Sequence, residues 1–265
     1  MATILYHGEP NGPSLAVLAA LAESGLDTGP NAIACRAIDL LAGDRHRIAG
    51  LTETLALDFA VEGEGPVLVI DGEAMTESVF VAQYLDEVAG GALQPRDAYA
   101  HWQMLMWCRR ITERCAPAAA FLGLKAQGAD RLAAMSDDDF ATLVAPIVSE
   151  DLKQRWHDTR TGAFPDAADT DSRAKVAGAV DMVEAQLVDG RDWLMGPLSI
   201  ADFETYGWLM GMVAILPEAF ADRPHTAAWL ARVRARPSVQ SALARSATGR
   251  PEAAWAPGPE INRWG

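Results

Sequence analysis

The chain has 265 residues, half of them hydrophobic, which is enough for one large domain or two modest ones with substantial cores. Its 22 basic and 36 acidic side chains leave a formal charge of -14, a surface that repels phosphate backbones and anionic lipid, so neither nucleic acid nor a membrane is an expected partner. The opening MATILYHGEP has no basic segment leading into an apolar one, and GWLMGMVAIL, the longest apolar run, is about half the length a bilayer demands; a soluble, cytoplasmic protein is expected.

TILYH reads as a short strand, GEPNGP as a loop, and SLAVLAALAESGL as a helix with Leu15, Leu18 and Ala22 on one face. Ser14 stands where an N-cap belongs and Gly25 where a C-cap belongs. VLVI and EAM read as strands joined by Asp71-Gly72, a strong hairpin signal, and the helix after them carries Val81, Tyr84, Leu85 and Val88 at helical spacing. Residues 1–88 are therefore expected to be mixed α/β. AGGALQP then reads as a linker, and strand signals vanish beyond it. DAYAHWQMLMWCRRITERC places Met104, Trp107, Cys108, Ile111 and Cys115 on one stripe, and SDDDFATLVAPIV opens with Ser136 as a cap and Asp139 three residues on. DSRAKVAGAVDMVEAQL, IADFETYGWLMGMV and HTAAWLARVRARPSVQSAL continue as helices, so residues 97–246 form an expected all-helical domain and 247–265 an irregular, Pro/Gly-rich tail. Cys35, Cys108 and Cys115 are too few and too irregular for a disulfide framework or a metal site, and read as small buried hydrophobes.

The chemistry concentrates around GPVLVIDGEAMTESVFVAQYLDE. Pro66 has no N–H, so at a strand start it suits a turn or a cis peptide that leaves backbone polar groups pointing outward, an edge for a peptide-like ligand. Thr76, Glu77 and Ser78 cluster at a helix start. Free N–H groups and the helix dipole there favour a carboxylate, while the Glu77 side chain accepts an ammonium, so one site can hold both charges of an α-amino acid. Read alone, the same residues also serve simply as helix caps.

The strand-helix opening, the Pro-led hairpin, DGEAMTES and YLDE resemble the thioredoxin-like half of a cytosolic glutathione transferase, and GPLSIADF is similar to a folding motif of that superfamily. In physical terms Ser199 and Asp202 form a capping box, with Leu198 placed to staple onto Phe203. A narrower resemblance joins LYHGEPNGPSLAVL and MSDDDFATLVAPIVSEDLKQRWHDTRTGAFPD to the bacterial β-etherases, glutathione transferases that cleave β-aryl ethers of lignin-derived aromatics.

The resemblance implies an α/β thioredoxin-like N-terminal domain followed by an all-α C-terminal domain, glutathione as cosubstrate, a small aromatic electrophile as acceptor, and a homodimer or a heterodimer with a related subunit. It gives Ser14 the role of stabilising the glutathione thiolate. Pro13 stands where relatives often carry asparagine, and Asn11 is the nearby substitute donor. Gly65 would offer backbone groups to the cysteinyl part of glutathione, Pro66, Glu77 and Ser78 would belong to the same binding site, the last two at an α-amino acid group, and Arg45 or Arg47 would meet the glycyl carboxylate. Glu64, in AVEGEGP, departs from the family pattern, because a carboxylate beside a net-negative tripeptide repels it unless a cation intervenes. His7, Met104, Trp107, Cys108 and Ile111 are the expected acceptor wall, with Tyr6, Phe121, Trp156, Trp208 and Met212 as further apolar surface. Pro13 and Glu64 also keep open a weakly active subunit that serves as binding module or heterodimer partner.

Overall fold

The computed structural model describes residues 3–49, 51 and 65–258. Strand β1 (Thr3–His7) leads through α1 (Gly12–Glu23) to β2 (Ala34–Ala37), and β3 (Val67–Ile70) and β4 (Glu73–Met75) lead into α2 (Ser78–Val88). The strands form one sheet in the order β2-β1-β3-β4. Leu5 pairs with Cys35 in the parallel β1-β2 ladder and with Leu68 in the antiparallel β1-β3 ladder. A parallel pair needs a crossover, and α1 supplies it. Asp71 and Gly72 both have positive φ, 51° and 92°, as the tight primed hairpin turn requires. β2 was not anticipated: ACRA is an edge strand with three of its four residues exposed, so it shows no hydrophobic alternation.

From Ala98 onward the described residues are helical or loop. α3 (Ala98–Arg110), α4 (Ala116–Gly123) and α5 (Ala129–Ala133) are joined by wide helical turns at Ile111–Cys115 and Leu124–Gly128. There follow α6 (Asp137–Val144), α7 (Glu150–Thr161), α8 (Asp166–Leu187) and α9 (Ile200–Leu209), then the short α10 (Met212–Ile215) and α11 (Pro217–Phe220). Next come α12 (Pro224–Arg234) and α13 (Pro237–Leu243), followed by the C-terminal segment. HTAAWLARVRARPSVQSAL is thus two helices rather than one, because Pro237 cannot continue the ladder and instead starts α13. Val88 is 57% exposed and does not join the buried stripe of Val81 and Leu85. Ser136 caps α6 as expected, its hydroxyl accepting from the Asp139 N–H at 3.1 Å. No helix among the described residues is long and apolar enough to cross a membrane.

Every residue of α9 is buried, and its capping box is formed by Ser199 and Asp202. The main core runs without a break from Leu5, α1 and α2 into the helical half, while Phe140, Leu143 and Trp156 form a separate core beneath α6 and α7. α9 meets the start of α1 so closely that a Cβ on Gly207 would lie 2.3 Å from the Gly12 carbonyl oxygen. Backbone cannot yield there as a side chain does. Gly207→Ala is accordingly expected to cost about 3 kcal/mol, at the upper end of overpacking effects, measured by urea denaturation. Unchanged stability would mean that α1 and α9 separate without cost.

Candidate functional site

A cleft of about 1130 Å³ opens between the sheet half and the helical half. The β1-α1 loop forms one wall, with Gly8, Asn11 and Ser14; Gly65, Pro66 and the start of α2 form the floor; α3, α9 and the C-terminal segment close the other side.

Ser14 is not the N-cap of α1. Asn11, in extended conformation, takes that position, and Ser14 is the third residue of the helix. Gly12 and Pro13 read as loop in the sequence, yet proline fits a first turn because its missing N–H has no intrahelical partner there. Gly25, with φ 68°, is one place beyond the C-cap Ser24. The Ser14 hydroxyl, in a buried residue, accepts a hydrogen bond from the Gly8 N–H at 3.0 Å. That bond uses a lone pair and leaves the O–H to donate. Asn11 does not share this task. Its amide N–H donates to the Ala254 carbonyl at 2.9 Å, and its Oδ1 is buried without a hydrogen-bond partner among the described residues.

Gly65, Pro66, Glu77, Ser78 and Arg45 all line the cleft. No cis peptide occurs among the described residues. Glu64 lies outside the described residues. Arg47 is exposed, donates to the Ala42 carbonyl, and is not part of the cleft wall. Glu77 has φ 66°, an uncommon conformation for a side chain of its size, at the entry to α2. The turn it makes places Ser78 as the first helical residue, with its N–H groups at the cleft.

The expected acceptor wall is largely elsewhere. Met104, Trp107 and Ile111 point into the main core, where the Trp107 indole N–H donates to the Thr205 hydroxyl at 2.9 Å. His7 is 3% exposed, has its Nδ1 2.7 Å from the Gly8 carbonyl oxygen, and lies outside the cleft wall; burial lowers its pKa. Tyr6, Trp156 and Met212 are core residues, Phe121 packs edge-on against Phe164, and Trp208 alone of that group lines the cleft. On α3 only Cys108 of the expected stripe reaches it. The face actually presented is Trp102, Leu105, Met106 and Arg109, again at i, i+3, i+4 and i+7. The most apolar stripe of a helix marks its deepest packing, whereas a cleft face is partly wet and reads as surface: Trp102 is 52% exposed.

The C-terminal segment is irregular but anchored. The Glu9 carboxylate accepts from the Ser246 hydroxyl at 2.5 Å, from the Ala247 N–H at 2.8 Å and from the Thr248 N–H at 3.2 Å. Trp255 is buried against Gly123, where a Cβ would fall 2.1 Å from the indole, and donates to Gln127 Oε1 at 3.0 Å. Arg245, Arg250 and Trp255 thereby line the cleft.

Two buried titratable groups lie in its wall. Burial, with Glu204 and Asp202 nearby, pushes the Cys108 thiol far up, so it stays protonated at neutral pH and is a poor nucleophile. Burial likewise pushes the Glu204 carboxyl up to about 7, against the opposing pull of the Trp208 indole N–H and the Ser78 hydroxyl. Glu204, one turn before Trp208 on α9, was missed as a site residue because the folding motif beside it explained the whole segment.

The family model for the glutathione S-transferase C-terminal domain matches residues 133–237. Protein LigF of Sphingobium sp. (strain NBRC 103272 / SYK-6) is 29% identical over 199 residues, covering 69% of this chain and 75% of LigF. The crystal structure of the β-etherase LigF superposes with a TM-score of 0.79 at 23% identity, over 93% of this chain and all of that one. A glutathione transferase from Burkholderia graminis, solved with two glutathione molecules per subunit, gives 0.62 at 20% identity, over 92% of this chain and 88% of that one. A four-stranded sheet over an otherwise helical body, the match of residues 133–237 and the likeness to LigF together make this chain similar to the glutathione transferases, and among them to a β-etherase.

Proposed function

We propose that the cleft binds glutathione and that the protein transfers its thiolate to an electrophilic carbon, the favoured reaction being cleavage of a β-aryl ether next to an aromatic ketone. The observation that carries this reading is Ser14: a buried hydroxyl, fixed as acceptor by the Gly8 N–H, has its proton free for a ligand at the head of α1. A free thiol with a pKa near 8.5 is mostly protonated at neutral pH, and a hydrogen-bond donor together with a helix N-terminus lowers that value. Glu77 and Ser78 take the γ-glutamyl end, Gly65 the cysteinyl backbone, and Arg45 the glycyl carboxylate. Sulfur then attacks the carbon that bears the aryloxy group, a C–S bond forms as the C–O bond breaks, and a phenolate leaves. Trp102, Leu105, Met106 and Trp208 offer the apolar wall for the acceptor. LigF, described as a β-etherase, and the neighbour solved with glutathione support the reading.

Phe80, Tyr99 and Trp102 are exposed large side chains, Tyr99 stacks on Trp102, Phe80 and Trp102 line the same cleft, and a second copy or a related subunit is expected to cover them. A second reading, a weakly active subunit, draws on Asn11, whose amide is engaged with Ala254 and leaves Ser14 as the side-chain donor at the thiol. The deciding experiment is glutathione-dependent phenol release from a racemic β-aryl ether ketone by the protein alone, with residual substrate resolved by enantiomer. Release from one enantiomer is expected. No release from folded protein, with release restored by a related subunit, would favour the second reading.

A further inference from the structure

Glu204 has no part in the chemistry above, yet it is a fully buried carboxyl in the wall of a ligand cleft. Its Oε1 accepts from the Trp208 indole N–H at 2.9 Å, and its Oε2 has no close hydrogen bond among the described residues, although the Ser78 hydroxyl lies beside the carboxyl. A buried acidic group left half satisfied is costly, and it persists where something else makes use of it. Its polar surroundings are one-sided. The Ser78 hydroxyl and the Glu77 carboxylate face it from the head of α2, the Cys108 and Cys115 thiols from α3 and the turn after it, and Asp202 lies on its own helix. None of these carries positive charge.

We propose that Glu204 is a positioning residue for a primary-ammonium subsite at the head of α2: it stands behind Ser78, and with Glu77 it supplies the negative charge that attracts the ammonium of an α-amino acid ligand. The proposal rests on the glutathione reading above, whose γ-glutamyl end is such a ligand, and it adds a second acidic residue, donated by the helical half, to the subsite. Glu204 has no exposed surface, so it acts through surroundings of low dielectric, where charge interactions are stronger than in water. Its resting state is the reason it can respond. A carboxyl held near neutrality loses its proton to solvent when a cation arrives in front of it. The coupling is reciprocal: each pH unit by which the ammonium lowers the Glu204 pKa is a tenfold gain in affinity for the ionised form.

The test is calorimetry with S-methylglutathione, which has the ammonium but no thiol proton, in buffers of differing ionisation enthalpy at pH 6.5. The wild type is expected to release a fraction of a proton on binding. Glu204→Gln, which keeps an acceptor for Trp208, is expected to release none and to bind roughly tenfold more weakly. The des-amino analogue of S-methylglutathione needs no variant, and it should bind the wild type without proton release. Binding with no proton release, or with equal affinity for the two ligands, would overturn the subsite. Failure of S-methylglutathione to bind at all would overturn the glutathione reading itself, and the subsite with it.

Discussion

Ser14→Ala is expected to lower the glutathione transfer rate at pH 7 by about 10²–10³-fold, the effect of removing one donor aimed at a developing or resting anion. The folded state should feel much less. Ser14 gives up one hydrogen bond and leaves the Gly8 N–H without its acceptor, a loss of about 1–3 kcal/mol in a buried setting. The two measurements are initial rates with a β-aryl ether ketone and denaturation in urea. A further readout separates thiolate stabilisation from mere damage to the loop. Without the Ser14 donor the bound thiol should titrate closer to its free value near 8.5, so the variant should regain activity as pH rises toward 9. A variant that matches wild type at pH 7 would remove Ser14 from the mechanism, and one that stays inactive at pH 9 would assign it a structural role.

Why Ser14 was legible and Glu204 was not follows from the kind of signal each carries. The loop GEPNGP before a helix announces a helix start, and a hydroxyl within one turn of that start is near the end of the helix wherever the boundary falls: Ser14 proved to be the third helical residue, yet it still faces the cleft. Glu77 and Ser78 were legible for the same reason, since strand, turn and cap chemistry are local. The face of α3 that lines the cleft depends on which side of the helix meets the other half of the protein, and local pattern ranks sides only by apolarity. Met104, Trp107 and Ile111 were the most apolar side and therefore went to the core. β2 lacked both alternation and burial, so it is a strand by virtue of its partner β1 alone. Residues 247–258 are irregular apart from a short turn at Pro251–Ala253, but the anchoring of this segment by Glu9, 237 residues away from Ser246, is a long-range contact that no sequence window contains.

Asp202→Ala is expected to be the most destabilising single change, costing about 3–5 kcal/mol, because it leaves several buried donors with no acceptor at once. The carboxyl is fully buried. One oxygen accepts from the Leu194 N–H and the Trp229 indole N–H, each at 2.9 Å, and the other from the Ser199 N–H at 3.0 Å and the Ser199 hydroxyl at 3.2 Å. An ordinary capping box concerns one helix end and is worth about 1 kcal/mol, which is the loss expected for Ser199→Ala. Asp202 does more, since Leu194 and Trp229 lie outside α9, on the preceding loop and on α12. It thus fixes the entry of α9 against two other parts of the core. That entry sets the placement of everything downstream on the helix: Gly207 against Gly12, and Glu204 and Trp208 in the cleft wall. Stability and site geometry should therefore fail together. Asp202→Asn, which retains one acceptor oxygen, should fall between the other two variants, and at a temperature where it is still folded its KM for glutathione should rise. A loss for Asp202→Ala no larger than that for Ser199→Ala would show that Leu194 and Trp229 are only neighbours of the box, and that α9 is held in place by apolar packing alone.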